Sequence, residues 1–234
     1  MSKLDFLKIK NQSNNSAELF FYGDIVSDTW EGYWFDESKC PEDIRLFLDD
    51  LDPNKDLNIY INSGGGNVFA GITIYNMLKR HKGHKTVYVD GVAASIASVI
   101  ALAGDRVVIP ANAFMMIHKP WGGLAGNADE LREMADVLDR IQESILSIYQ
   151  ENLREGVELS EIEEMINKET WLSGQDAMKY FNIEVKEENN VLACASDYFN
   201  RYNNVPQRVT EPVVQDNTEA VSYTHLTLPT TSRV

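Results

Sequence analysis

Cysteine is nearly absent: Cys40 and Cys194 are the two in 234 residues. They lie far apart, outside any C-x-x-C spacing, and no helical H-E-x-x-H accompanies them. Neither a disulfide framework nor a familiar metal site is expected, and the thiols suit a reducing compartment. Positive charge is also scarce: 21 Lys and Arg stand against 36 Asp and Glu, for a formal net charge of −15. Such a field repels nucleic acid and anionic membrane surfaces, so neither is expected as a partner, and its simplest role is solubility. No apolar run reaches the roughly 18 residues of a spanning helix, and Met1 to Lys8 lacks a signal-peptide apolar core, so a cytoplasmic protein is expected. No bound cofactor or metal is expected either.

What is there is enough apolar residue, 44% of the chain, to bury one sizeable core. Residues 1–17 end in Asn11-Gln12-Ser13-Asn14-Asn15-Ser16 and read as a flexible lead-in, with the fold starting at Glu18. Leu19 to Tyr22, closed by Gly23, reads as a strand, and Ile44, Phe47, Leu48 and Leu51 have helical spacing. Leu57 to Ile61 is strand, Asn62 to Asn67 a Gly-rich turn, and Val68 to Leu78 an amphipathic helix. The pattern then repeats: strand Thr86 to Val89, turn at Gly91, small-residue helix Ala93 to Ala103, strand Arg106 to Ile109. Alternation of this kind predicts an α/β fold with a mainly parallel sheet.

After His118 comes a segment rich in Gly and Pro. Asn127 with Glu130 reads as a capping box opening a long helix, striped by Leu131, Met134, Leu138, Ile141, Ile145 and Ile148. Ser160 with Glu163, and Ser173 with Asp176, read as two more helix starts. Composition changes after Val185, so a single domain is assigned to 18–186, with 187–220 as a flexible tail. From Val221 onward the sequence matches one reading frame of a common sequencing adapter. Residues 221–234 are therefore read as non-native and excluded from fold reasoning.

The chemistry centres on Ser95, within Gly91-Val92-Ala93-Ala94-Ser95-Ile96, and on His118 after a strand-like segment. A hydroxyl is a weak nucleophile at neutral pH; it needs an imidazole within hydrogen-bond reach and main-chain N–H groups to hold an oxyanion. Gly65, Gly66 and Ile96 are the candidate N–H donors. Taken singly these signals are weak. A serine among alanines is usually a packing residue, as Ser98 is read here, and His81, His84 and His225 carry no accompanying motif. The Gly run lacks the Lys-Ser or Lys-Thr of a phosphate loop, which argues against nucleotide binding.

Three ordered motifs are more specific: Ile61-Asn62-Ser63-Gly64-Gly65-Gly66, Gly91-Val92-Ala93-Ala94-Ser95, and Met116-Ile117-His118-Lys119-Pro120-Trp121-Gly122-Gly123. Over Leu19 to Val185 the chain resembles the ClpP-type serine peptidases of the Clp/crotonase fold. The resemblance implies repeated β-β-α and βαβ units with a protruding handle and long helix. It implies Ser95 as nucleophile, His118 as general base and Glu169 in the acid position, where the family carries aspartate. A second departure is Gly64, where the family usually carries proline. It also implies a homo-oligomeric ring, a heptamer or double heptamer, acting on protein or peptide substrates.

Within the family, Glu169-Thr170-Trp171, the Trp30-Glu31-Gly32-Tyr33-Trp34 segment and the extended tail are most like phage-encoded prohead proteases, which process capsid or scaffold proteins during head maturation. The alternatives are a housekeeping peptidase fed by an AAA+ unfoldase, a crotonase-like acyl-CoA enzyme, and an inactive ring-forming assembly protein. The aromatic cluster at Trp30, Tyr33 and Trp34 reads either as a docking patch or as packing under a loop. Protonation of His118 predicts activity falling with acid between about pH 5 and 8.

Overall fold

The computed structural model describes residues 16–27, 38–187, 194 and 196–210. The aromatic segment at Trp30 to Trp34, most of the lead-in and the adapter-like residues 221–234 lie outside these. The described chain forms a seven-stranded sheet with covering helices. In order the elements are β1 (Ser16–Tyr22), α1 (Pro41–Asp49), β2 (Asp56–Ser63), α2 (Val68–Arg80), β3 (Lys85–Ala94), α3 (Ile96–Ala101), β4 (Arg106–Pro110) and β5 (Phe114–Ile117). There follow α4 (Ala128–Glu151), α5 (Leu159–Asn167), β6 (Thr170–Ser173), α6 (Gly174–Tyr180) and β7 (Glu184–Lys186). A 3-10 turn (Asp197–Arg201) and α7 (Gln207–Thr210) close the described chain.

The strands β1-β2-β3-β4-β7 lie side by side, all parallel. The connections through α1 and α2 are the long crossovers that parallel neighbours require. β3 is the hinge of the architecture. Its first half, Thr86 to Tyr88, pairs with β4, whereas its second half, Val92 to Ala94, pairs with β5. β5 in turn pairs antiparallel with β6. Helix α3 is sealed in the core, with Val99, Ile100 and Ala101 fully buried, because its small side chains let it pack against β3 and α2.

Some boundaries differ from those read in the sequence. Gly91 is not a turn: β3 runs through it to Ala94, and the reversal falls at Ser95. Glycine is tolerated there because Val89, Val92 and Ala93 around it are fully buried and hold the strand. The start of α5 is capped by Glu158 with Glu161, not by Ser160 with Glu163, since the reciprocal bonds form two residues earlier. The Asn127–Glu130 capping box and the Ser173 cap are as read. The stripe on α4 is buried only near its end, at Ile145, Leu146, Ile148 and Tyr149, while Leu131 is 48% exposed. The helix thus projects from the body together with Trp121 and Leu124, which are also exposed.

Cys194 and residues 196–210, which fall in the segment assigned by composition to a flexible tail, are packed. Cys194, Phe199, Tyr202 and Val209 form a second buried cluster with Val92, Ala94 and Met116 on β3 and β5. Apolar side chains at these spacings outweigh the polar residues between them, because they cover strand residues that would otherwise face water.

Candidate active site

Strand pairing brings the three candidates to one edge. Ala94 pairs with Met116, so the residues just beyond each strand end, Ser95 and His118, emerge side by side. Ile117 pairs with Thr170 in the antiparallel direction, which places Glu169 opposite His118. The Ser95 N–H donates to the Met116 carbonyl (2.9 Å), pinning the turn. At φ 54° and ψ −127°, Ser95 sits in a backbone region that non-glycine residues rarely occupy. Such strain costs on the order of 1–3 kcal/mol and persists only where the surroundings enforce it. The enforcement comes from the β3–β5 ladder on one side and α3 on the other.

Ser95 Oγ and His118 Nε2 lie 2.7 Å apart, the contact a base needs to activate a hydroxyl. Burial pushes the imidazole down from 6.5 to about 4. A neutral imidazole is the form that accepts a proton, so the acid limb read from the sequence between pH 5 and 8 moves towards pH 4 in this conformation. The reason is desolvation unopposed by a carboxylate.

Glu169 lies opposite His118 at the end of the β5–β6 ladder, at φ 51°, but its carboxylate is engaged elsewhere. One oxygen accepts the Asn203 N–H (2.5 Å) and the Trp171 indole N–H (3.4 Å), and the other accepts the Asn203 side-chain amide (3.2 Å). Among the described residues no hydrogen bond joins Glu169 to His118.

Of the candidate oxyanion donors, Ile96 opens α3 beside Ser95, where the first N–H groups of a helix have no intrahelical acceptor. Gly65 passes so close that a Cβ there would stand 2.8 Å from Ser95 Cβ, and its φ of 100° also demands glycine. Its N–H donates to Ser63 Oγ (3.2 Å) in this conformation. Gly66 bridges to Ile25, against whose carbonyl a side chain would collide. Beside Ser95 and His118 lies a mostly apolar pocket walled by Val68, Val99, Pro120, Ile145 and Tyr149.

Several participants escaped the sequence reading. Ser98, read as a packing residue, bonds both the Ser95 carbonyl (2.6 Å) and the Tyr149 phenol (2.7 Å). Since its single proton goes to the carbonyl, Tyr149 donates to it, and α4 is thereby tied to the nucleophile turn. Tyr202 stacks edge-on against His118, with ring centroids 5.1 Å apart, and donates to the Gly64 carbonyl (2.7 Å). The signal for the tail was present in the aromatic spacing of Tyr198, Phe199 and Tyr202, but polar composition masked it.

The profile of the Clp protease family matches residues 41–184. The chain belongs to that family. It is thus a ClpP-type member, by family a serine-type peptidase. Among its relatives are proteins named ATP-dependent Clp protease proteolytic subunit. That of Bacteroides fragilis is 32% identical over 142 residues, 59% of this chain and 67% of the relative. That of Porphyromonas gingivalis is 34% identical over 148 residues, 62% and 65% respectively. That of Chlorella vulgaris is 36% identical over 140 residues, 58% and 68%. The ClpP-like chain spans about two thirds of the length of these relatives.

Proposed function

We propose that this protein is an endopeptidase working through Ser95, His118 and Glu169. The observation that carries the reading is the 2.7 Å contact between Ser95 Oγ and His118 Nε2 at a strained strand-to-helix turn. Ser95 Oγ attacks the peptide carbonyl while His118 Nε2 takes its proton. The resulting oxyanion is held by N–H groups drawn from Gly65, Gly66 and Ile96. His118 then hands the proton to the leaving amine, and water, activated by the same imidazole, releases the acyl group. Glu169 orients the imidazole once its carboxylate faces it.

For the substrate, we hold to segments of phage capsid or scaffold proteins, cleaved without ATP. Glu169 in the acid position and the extension past the peptidase body support this. A second reading, a peptidase fed by an AAA+ unfoldase, is favoured by the names of the relatives. In both readings the chain assembles into a heptameric ring or a pair of rings, for which the projecting α4 with exposed Trp121, Leu124 and Leu131 supplies contact surface.

Ser95→Ala tests the chemistry. Peptide hydrolysis and fluorophosphonate labelling are lost while the oligomer in solution is retained; persistence of hydrolysis refutes the assignment. Cleavage of a capsid precursor without nucleotide supports the phage reading. Cleavage only of substrates delivered by an ATP-driven unfoldase supports the second. An inert oligomer that still binds capsid subunits points to an assembly protein, and saturable acyl-CoA binding to a crotonase-like enzyme.

A further inference from the structure

The segment at 196–210 does more than cover apolar strand residues. It returns to the site and engages the candidate triad directly. The Tyr202 ring leans on the His118 imidazole, and its phenol donates to the Gly64 carbonyl. The next residue, Asn203, takes both oxygens of the Glu169 carboxylate. Trp171 donates its indole N–H to the Asn203 carbonyl (3.0 Å), which fixes the segment from the β6 side.

The segment is anchored well beyond these contacts. Cys194 N–H donates to the Val209 carbonyl (2.9 Å), closing the segment into a loop, and Ser196 Oγ donates to Asp24 (2.5 Å). Phe199, Tyr202 and Val209 are buried against Val92, Ala94 and Met116. The Arg201 guanidinium lies over the Trp121 ring, 4.5 Å from its centroid, which connects the loop to the segment following His118.

Gly64 gives an independent observation. A Cβ at this position would collide with the Ser196 hydroxyl and lie 2.5 Å from Ser196 Cβ.

We propose that residues 196–210 form an autoinhibitory loop in cis, which holds the Glu169 carboxylate away from His118 and must lift before the site can turn over. This rests on the peptidase reading above. Lifting frees both carboxylate oxygens, so Glu169 can turn to the imidazole that its backbone already faces across the β5–β6 ladder. It also clears the imidazole face against which Tyr202 packs.

The test uses the full chain and three variants, Gly64→Ala, Tyr202→Ala and Asn203→Pro. The first denies the loop its seat, the second removes its contact with His118, and the third, at an exposed position, removes both the main-chain N–H and the side-chain amide that hold the carboxylate. Each is assayed for the rate of fluorophosphonate labelling at Ser95, for hydrolysis of a short unstructured fluorogenic peptide, and for folding by circular dichroism. If the lifted state is a minor one, labelling and hydrolysis rise on the order of tenfold or more, the factor by which a scarce competent population is restored. Asn203→Pro keeps the test valid should either of the other two misfold. Labelling of Ser95 at the wild-type rate or slower in folded variants overturns the autoinhibitory loop while leaving the peptidase reading standing. No labelling of wild type or any variant overturns both.

Discussion

Acidification should expose the burial of His118 as a loss of stability. The folded imidazole holds a proton only near pH 4, against 6.5 for a solvated histidine. Between those values the unfolded chain binds a proton that the folded chain refuses, so the unfolded state gains as pH falls. Stability attached to this residue is therefore complete above about pH 6.5 and is lost as pH drops through the interval to about 4. At about 1.36 kcal/mol per pH unit the full loss is slightly over ~3 kcal/mol, a sizeable share of the 5–15 kcal/mol typical of a domain. Urea unfolding of wild type and His118→Asn across this range isolates the effect, because the carboxylates common to both chains cancel in the difference. The wild-type curve should fall more steeply than that of the variant below about pH 6.5. Parallel curves would refute the reasoning, since they would mean that the imidazole is as well solvated folded as unfolded. Tyr202→Ala, by re-exposing one face of the ring, should shrink the difference.

Other perturbations follow from contacts at the same turn. Gly65→Ala forces a Cβ to 2.7 Å from the Ala94 carbonyl at a φ of 100°; a loss of about 1–3 kcal/mol in denaturant unfolding, with activity falling further than stability, is expected. Ser98→Ala strands the fully buried Tyr149 phenol. That should cost about 1–3 kcal/mol and slow Ser95 labelling in a protein that remains folded at 25 °C; unchanged labelling would show that the tie to α4 does not hold the turn.

The legibility of this chain was uneven for physical reasons. Alternating apolar strands and Gly-bearing turns announced a parallel sheet because each buried strand must be nearly all apolar, as in the fully buried Val87, Val89, Val92 and Ala93 of β3. Caps such as Asn127 with Glu130 were readable because their bonds span only three residues. The turn at Gly91 was misplaced because local sequence cannot report that β5 would pair with Val92 to Ala94 and extend the strand to Ser95. The fold of Cys194 and residues 196–210 was missed because its stabilisation comes from partners more than a hundred residues earlier, including Gly64 and Asn62.

Residue order singled out Ser95 and His118 through their types and flanking motifs, whereas Glu169 was put beside them only by the resemblance to a family. Which of them touch was decided by packing. The β3–β5 ladder joins the hydroxyl to the imidazole, while Asn203, arriving from a distant part of the chain, takes the carboxylate. Short-range bonding preferences are written residue by residue. The competition of two distant groups for one side chain is settled only when the whole chain has folded.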